Sequence, residues 1–218
     1  MDYAARSVRA LLGATTHPGG TALTRHLLDG LCPPTGAVLL DVACGAGQTL
    51  GLLAGRGLLV LGVDVEARSV TRARRRGAAV VADAHALPVG DGTVDVVICE
   101  CSVSTFHDPA QAVTEMARVL RPCGQLALTD VVLHRELAAP EVVDAVDRLT
   151  SARTIPAYAG LLTTEGLRVV TTEDRGADAL AFMRRLRTRL PLSSTLRACE
   201  RAIRSGVLGY AIITAQKA

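Results

Sequence analysis

Val38-Leu39-Leu40-Asp41-Val42-Ala43-Cys44-Gly45-Ala46-Gly47-Gln48-Thr49 decides how the rest of the chain is read. A short apolar run ends in an acid, and two glycines then bracket one small side chain. Apolar positions at helical spacing follow at once (Leu50, Leu52, Leu53, Ala54). This order predicts a buried strand, a tight turn and a helix, the opening of a nucleotide-binding βα unit. Gly45 and Gly47 lack a Cβ, so the backbone there can turn sharply and a ligand can press against it. Asp41, at the strand end, is placed to accept hydrogen bonds from the loop or from a cationic ligand group.

Further along, the pattern repeats. The run Leu58–Val63 ends in Asp64, 17 positions after Gly47, and the run Ala78–Ala82 ends in Asp83. A carboxylate at the tip of the second strand can take both hydroxyls of an adenosine ribose by charge-assisted hydrogen bonds. Asp83 is placed to reach an adenine amino group. Three successive strands each ending in Asp at one edge are much rarer by chance than any one of them.

Asp41-Val-Ala-Cys-Gly45-Ala-Gly47, Gly62-Val-Asp64, Ala82-Asp83-Ala84 and Arg118-Val-Leu-Arg121-Pro122-Cys123-Gly124 resemble the motifs of class I S-adenosylmethionine (SAM) methyltransferases. The chain is similar to the small-molecule branch that includes quinone-ring and arsenite methyltransferases, from Leu23 to Ala218. Ala43 stands where that family often has its first glycine, and Cys123 where it often has one before Gly124. The resemblance implies a Rossmann-like, doubly wound α/β fold with a seven-stranded sheet, mainly parallel with an antiparallel last strand, here Gly209–Ala215. It implies SAM as cofactor, with Ala43, Gly45 and Gly47 against the methionine moiety and Asp64 on the ribose. Val65 is then expected to pack on the adenine, and Asp83 with the Ala84 amide to meet its polar edge. Glu100 is expected to touch the cofactor's amino-acid end or the loop.

At 218 residues the chain suits a single compact domain, read as an N-terminal helical cap (1–35) followed by a SAM-dependent methyltransferase domain (36–218). Apolar runs are short and broken by charges such as Arg56, so no membrane span is expected. No long apolar segment follows the first charges, which argues against a secretory signal and for a cytoplasmic protein. The six cysteines are then expected as thiols rather than as a disulfide framework, and no paired CxxC points to a metal. Net charge is +3, with eight arginines against two acids in residues 175–205. We read that stretch as the solvated face of C-terminal helices. Aromatics make up only 2% of the chain and tryptophan is absent, which leaves little on which to stack a base. The expected partner is a small-molecule acceptor, not nucleic acid, and nothing in the sequence addresses the oligomeric state.

Ser7–Leu12 and Thr21–Leu31 have helical patterns, broken by His17-Pro18-Gly19-Gly20, and His17 is a candidate to face the site. The fourth strand, Val94–Ser102, runs toward the expected acceptor. If it stays extended, alternation puts Cys99 and Cys101 on one face and Glu100 on the other. His107, just beyond, is the candidate general base, since an imidazole suits deprotonation of a hydroxyl or an activated carbon. Cys101 is the second candidate for the chemistry. In arsenite methyltransferases a cysteine at the corresponding place binds trivalent arsenic, and a soft thiolate suits that metalloid. The expected activity is in-line methyl transfer to an acceptor oxygen or carbon. The alternatives are arsenite methylation through Cys101 and a SAM-binding module without transfer. A nicotinamide-dependent oxidoreductase fits less well, because Leu50 occupies the third glycine position of GxGxxG.

Overall fold

The computed structural model describes residues 17–187 and 194–218, so the helix expected at Ser7–Leu12 lies outside the described residues. The chain runs through α1 (Gly20–Leu31), β1 (Val38–Val42), α2 (Gln48–Leu53), β2 (Leu59–Asp64), α3 (Ala67–Ala73), β3 (Ala78–Val81) and β4 (Val94–Glu100). Next come α4 (Pro109–Val119), β5 (Leu120–Leu133), α5 (Pro140–Asp147), α6 (Ile155–Thr164) and β6 (Leu167–Asp174). α7 (Gly176–Arg187), α8 (Ser194–Arg204) and β7 (Leu208–Lys217) complete it.

The seven strands make one sheet in the order β3-β2-β1-β4-β5-β7-β6, with β7 antiparallel to both β5 and β6. β1 through β5 pair in parallel, giving the doubly wound α/β arrangement expected from the sequence. The middle strands are apolar on both faces because helices cover both. Leu40, Val97, Met116, Leu126 and Tyr158 form the core beneath α4 and α6. Leu23, Leu39, Ile98, Val142 and Ile203 form the core on the opposite face, beneath α1, α5 and α8. A smaller cluster of Leu50, Val70 and Ala73 joins α2 to α3. α4 starts where the Asp108 side chain accepts the Gln111 N–H at 3.0 Å, with Pro109 in the first turn.

β5 starts at Leu120, directly after α4. Leu120 pairs with Val94 and Gln125 with Val96, so Arg121–Gly124 bulges out of a strand that continues on both sides. Pro122 and Gly124 read as a turn, but the flanking residues already hold the sheet register.

The carboxyl ends of β1 to β5 share one edge of the sheet. Since β7 runs the other way, β6 ends and β7 begins at that edge too, and α7 and α8 connect the two there. Among the described residues no helix is long and apolar enough to cross a membrane.

Candidate active site

The loop after β1 is a compact hydrogen-bonded turn. The Cys44 N–H donates to the Val63 carbonyl and the Gly47 N–H to the Cys44 carbonyl, both at 2.9 Å. Gly47 has φ +77°, and a Cβ there would lie 2.8 Å from the Ala73 backbone, so α3 can pack against the loop only because residue 47 is glycine. Gly45, at φ +54°, has open space beside it among the described residues. Ala43 is a non-glycine residue in the same left-handed region, at φ +61°.

Asp64 knits the loop to β2. One of its oxygens accepts the Gly45 N–H at 2.9 Å and the other the Glu66 N–H at 2.8 Å. Next to it, Val65 exposes 61% of its surface, an apolar shelf at the sheet edge. Asp41 is the opposite case: it is 3% exposed, and among the described residues its Oδ2 has no hydrogen-bond partner. Burial raises its carboxyl well above the usual range, and the neighbouring Glu100 and Asp64 raise it further.

Glu100, at the end of β4, accepts the hydroxyls of Thr24 from α1 and Thr49 from α2, each at 3.0 Å. His17 Nε2 lies 3.9 Å from the same carboxylate. The ends of β1, β2 and β4 therefore concentrate three carboxylates, Asp41, Asp64 and Glu100, around one glycine loop. Such a site attracts a cation and can satisfy a buried ammonium group.

At the end of β3, Asp83 Oδ1 accepts both the backbone N–H of His85 (3.0 Å) and its ring Nδ1–H (2.5 Å). The backbone bond, then the ring bond, holds the Asp83 carboxyl below the usual range. Ala84 beside it is buried. His85 went unnoticed in the sequence, although Asp-Ala-His at the end of a strand was the available signal.

Two expectations for the chemistry change here. β4 stops at Glu100, and Cys101 turns left-handed at φ +54°, with its N–H donating to the Thr129 carbonyl at 2.7 Å. That reversal defeats the alternation: Cys99 is buried with the core under α4 and α6, whereas Cys101 packs against the core on the other face. His107 is exposed, and its ring stacks on His85 with centroids 3.9 Å apart, which takes it to the end of β3.

Beneath the turn after β4 lies a second site feature missed in the sequence. Asp130, buried in β5, accepts the Ser104 N–H (2.8 Å) and hydroxyl (2.7 Å) and the Val131 N–H (2.8 Å). Burial raises its carboxyl to about 6, against the lowering effect of these bonds. The signal was an acid close behind another apolar run, Leu126–Leu128. Among the described residues no group of three or more His, Cys, Asp or Glu is arranged to hold a metal ion.

Residues 40–128 match the family model described as a methyltransferase domain. Methyltransferase GfsG of Streptomyces halstedii is 33% identical, over 71% of this chain and 61% of the relative. In general the chain spans between 32% and 65% of the length of the curated relatives first matched. Among solved structures, geranyl diphosphate C-methyltransferase from Streptomyces coelicolor A3(2), bound to S-adenosyl-L-homocysteine, superposes with a TM-score of 0.81 at 19% identity, covering 96% of this chain and 84% of that one. The [4+2]-cyclase SpnF has a TM-score of 0.75 at 22% identity, with 93% and 83% covered. The matched domain model, the methyltransferase relatives and the sheet order agree: this chain has the fold of the class I, SAM-dependent methyltransferases, and residues 40–128 match a methyltransferase domain.

Proposed function

We propose that this protein moves the methyl group of SAM to an oxygen or carbon of a small organic acceptor. The observation that carries the reading is the trio of Asp41, Asp64 and Glu100 around the glycine loop, with a buried Asp41 oxygen that has no partner among the described residues. The residues fit the cofactor. An ammonium group near Asp41 would supply the missing donor, and the open side of Gly45 leaves room for a ligand against the backbone. Asp64 would take the ribose hydroxyls, Val65 the adenine face, and Asp83 with Ala84 the adenine edge. Ala43, Gly45 and Gly47 would lie along the methionine moiety.

Bound SAM supplies an electrophilic methyl group on a sulfonium, so the protein's work is mainly placement. Thr24 and Thr49 fix the Glu100 carboxylate, which would meet the cationic end of the cofactor. The turn from Cys101 to Thr105, fixed by Thr129 and Asp130, forms the wall against which an acceptor would sit. Cys101 serves as part of that wall. The separation of Cys99 and Cys101 onto opposite faces favours an organic acceptor over trivalent arsenic, which requires converging thiols. The segment read as a cap (1–35) contributes Thr24 and His17 to the site.

The test is release of S-adenosylhomocysteine from SAM across phenols, catechols, quinols, enolisable ketones and trivalent arsenic with thiol. Turnover on an organic acceptor supports the proposal. Turnover confined to arsenic and abolished in Cys101→Ser would replace it with metalloid methylation. Tight SAM binding without release on any acceptor would favour a cofactor-binding protein without transfer, a reading that the likeness to a cyclase keeps in view.

A further inference from the structure

Asp83 reaches the site with one oxygen already occupied. Its Oδ1 takes two donors from one residue, the backbone N–H and the ring Nδ1–H of His85. Among the described residues no donor is directed at Oδ2. His85 is itself held on several sides. Its Nε2 faces the Asp108 N–H at 3.4 Å, its carbonyl accepts from Gln111 Nε2 at 3.4 Å, and its ring meets the edge of Phe106 and the face of His107. These partners select the tautomer with the proton on Nδ1. The side chain is 12% exposed, whereas that of Asp83 is 51% exposed. A carboxylate that exposed would otherwise sample several rotamers.

Resting on the cofactor reading above, we infer that His85 is a positioning residue for cofactor recognition. It fixes Asp83 so that Oδ2 stands ready as an acceptor for the exocyclic amine of a 6-aminopurine, and so sets selectivity against a 6-oxopurine. The chemistry is one of acceptor against donor. An amino group donates to a carboxylate oxygen, whereas a 6-oxo group presents a second acceptor to it and leaves both unsatisfied. A carboxylate pinned through its other oxygen cannot rotate away from that mismatch. The ring also links the end of β3 to the Phe106–Asp108 loop, so the pinning comes from the fold rather than from the loop of Asp83 alone.

Binding of S-adenosylhomocysteine and of its 6-oxo analogue, S-inosylhomocysteine, measured calorimetrically, tests this. The wild type should prefer the 6-amino ligand by tenfold or more. His85→Ala should reduce that ratio at least threefold, chiefly by weakening the 6-amino ligand, and His85→Asn, which keeps a side-chain N–H, should restore most of it. General loosening of the fold would weaken both ligands alike and leave the ratio intact, so an unchanged ratio in His85→Ala overturns the inference. Asp83→Ala separates the layers of the argument. If it abolishes selectivity while His85→Ala does not, Asp83 reads the purine without help from His85. If it too leaves the ratio unchanged, the assignment of Asp83 fails and the role of His85 falls with it. No binding of either ligand to the wild type would overturn the cofactor reading itself.

Discussion

Asp41 shows what a buried carboxylate at the candidate site costs. A carboxylate sealed from water favours its neutral form, and Glu100 and Asp64 add repulsion to the cost of burial. Since the folded state raises this carboxyl above its unfolded range, the native protein holds the proton more tightly. Its contribution to stability is therefore full below pH of about 3.9 and declines as pH rises through the folded value. Asp41→Asn should stabilise the protein at pH 7, with the gain over wild type vanishing toward pH 4. The same variant should bind SAM at least tenfold more weakly. Urea unfolding at several pH values, alongside calorimetry with SAM, gives both numbers; a stability loss at pH 7 would contradict the charge argument. At this scale the acids were legible because each follows an apolar run. Cys101 was not, since alternation presumes an extended backbone and the residue sits at φ +54°. Nor was the stacking of His107 on His85, which joins two loops that no periodicity relates. If the acceptor sits beside Cys101, the exposed His107, stacked on His85, is poorly placed to take its proton. His107→Ala should keep kcat within about twofold, against the 10²–10⁴-fold that a lost general base costs. A larger drop would restore it as the base.

At the scale of elements, the strands and helices of the βα repeats were legible because period-2 and period-3.6 patterns are read locally. The joint between α4 and β5 was not, because it depends on residues far apart in sequence. Lys217, the only lysine in the chain, donates from β7 to the carbonyls of Ala117 and Leu120 at 2.7 Å each. These carbonyls close α4, where a cation also meets the negative end of the helix dipole. Lys217→Met keeps the stem of the side chain and removes the charge. It should cost about 1–2 kcal/mol, seen as a lower urea midpoint at constant slope. An unchanged midpoint would mean that water caps these carbonyls equally well. The bulge next to it explains one departure from the family pattern: Cys123 adopts φ +63°, as Ala43 does at φ +61° in the first loop. Both are places where a glycine would relieve strain of roughly 1–2 kcal/mol at some cost in chain entropy. The sequence comparison flagged these positions, and the backbone supplies the reason for the glycines they replace.

Across the whole molecule, topology gathers separate strand ends at one edge, where the candidate site lies. A parallel sheet brings the acids of β1, β2, β3 and β4 to the same edge, and that much follows from the alternation of strand and helix. How α1 is tied to them does not, because it rests on a contact between residues 76 positions apart. Thr24, 2% exposed, donates from α1 to Glu100, while His26 reaches Glu173 of β6 at 2.8 Å on the exposed side. α1 is thus tied both to the site and to the far edge of the sheet. If the buried tie governs closure, Thr24→Val, nearly equal in shape but without the hydroxyl, should loosen α1 selectively. Its amides (Gly20–Leu31) should exchange with deuterium at least fivefold faster, and overall stability should fall by about 1–2 kcal/mol. SAM should then bind several-fold more weakly and, once bound, slow exchange in α1 again, since a ligand that engages Glu100 shifts the open population back. His26→Ala removes only an exposed pair and should alter neither, because such pairs contribute little. Equal acceleration in α1 and β5 on Thr24→Val would mean that the helix opens only with the whole fold, and the buried tie would then be packing rather than a closure contact.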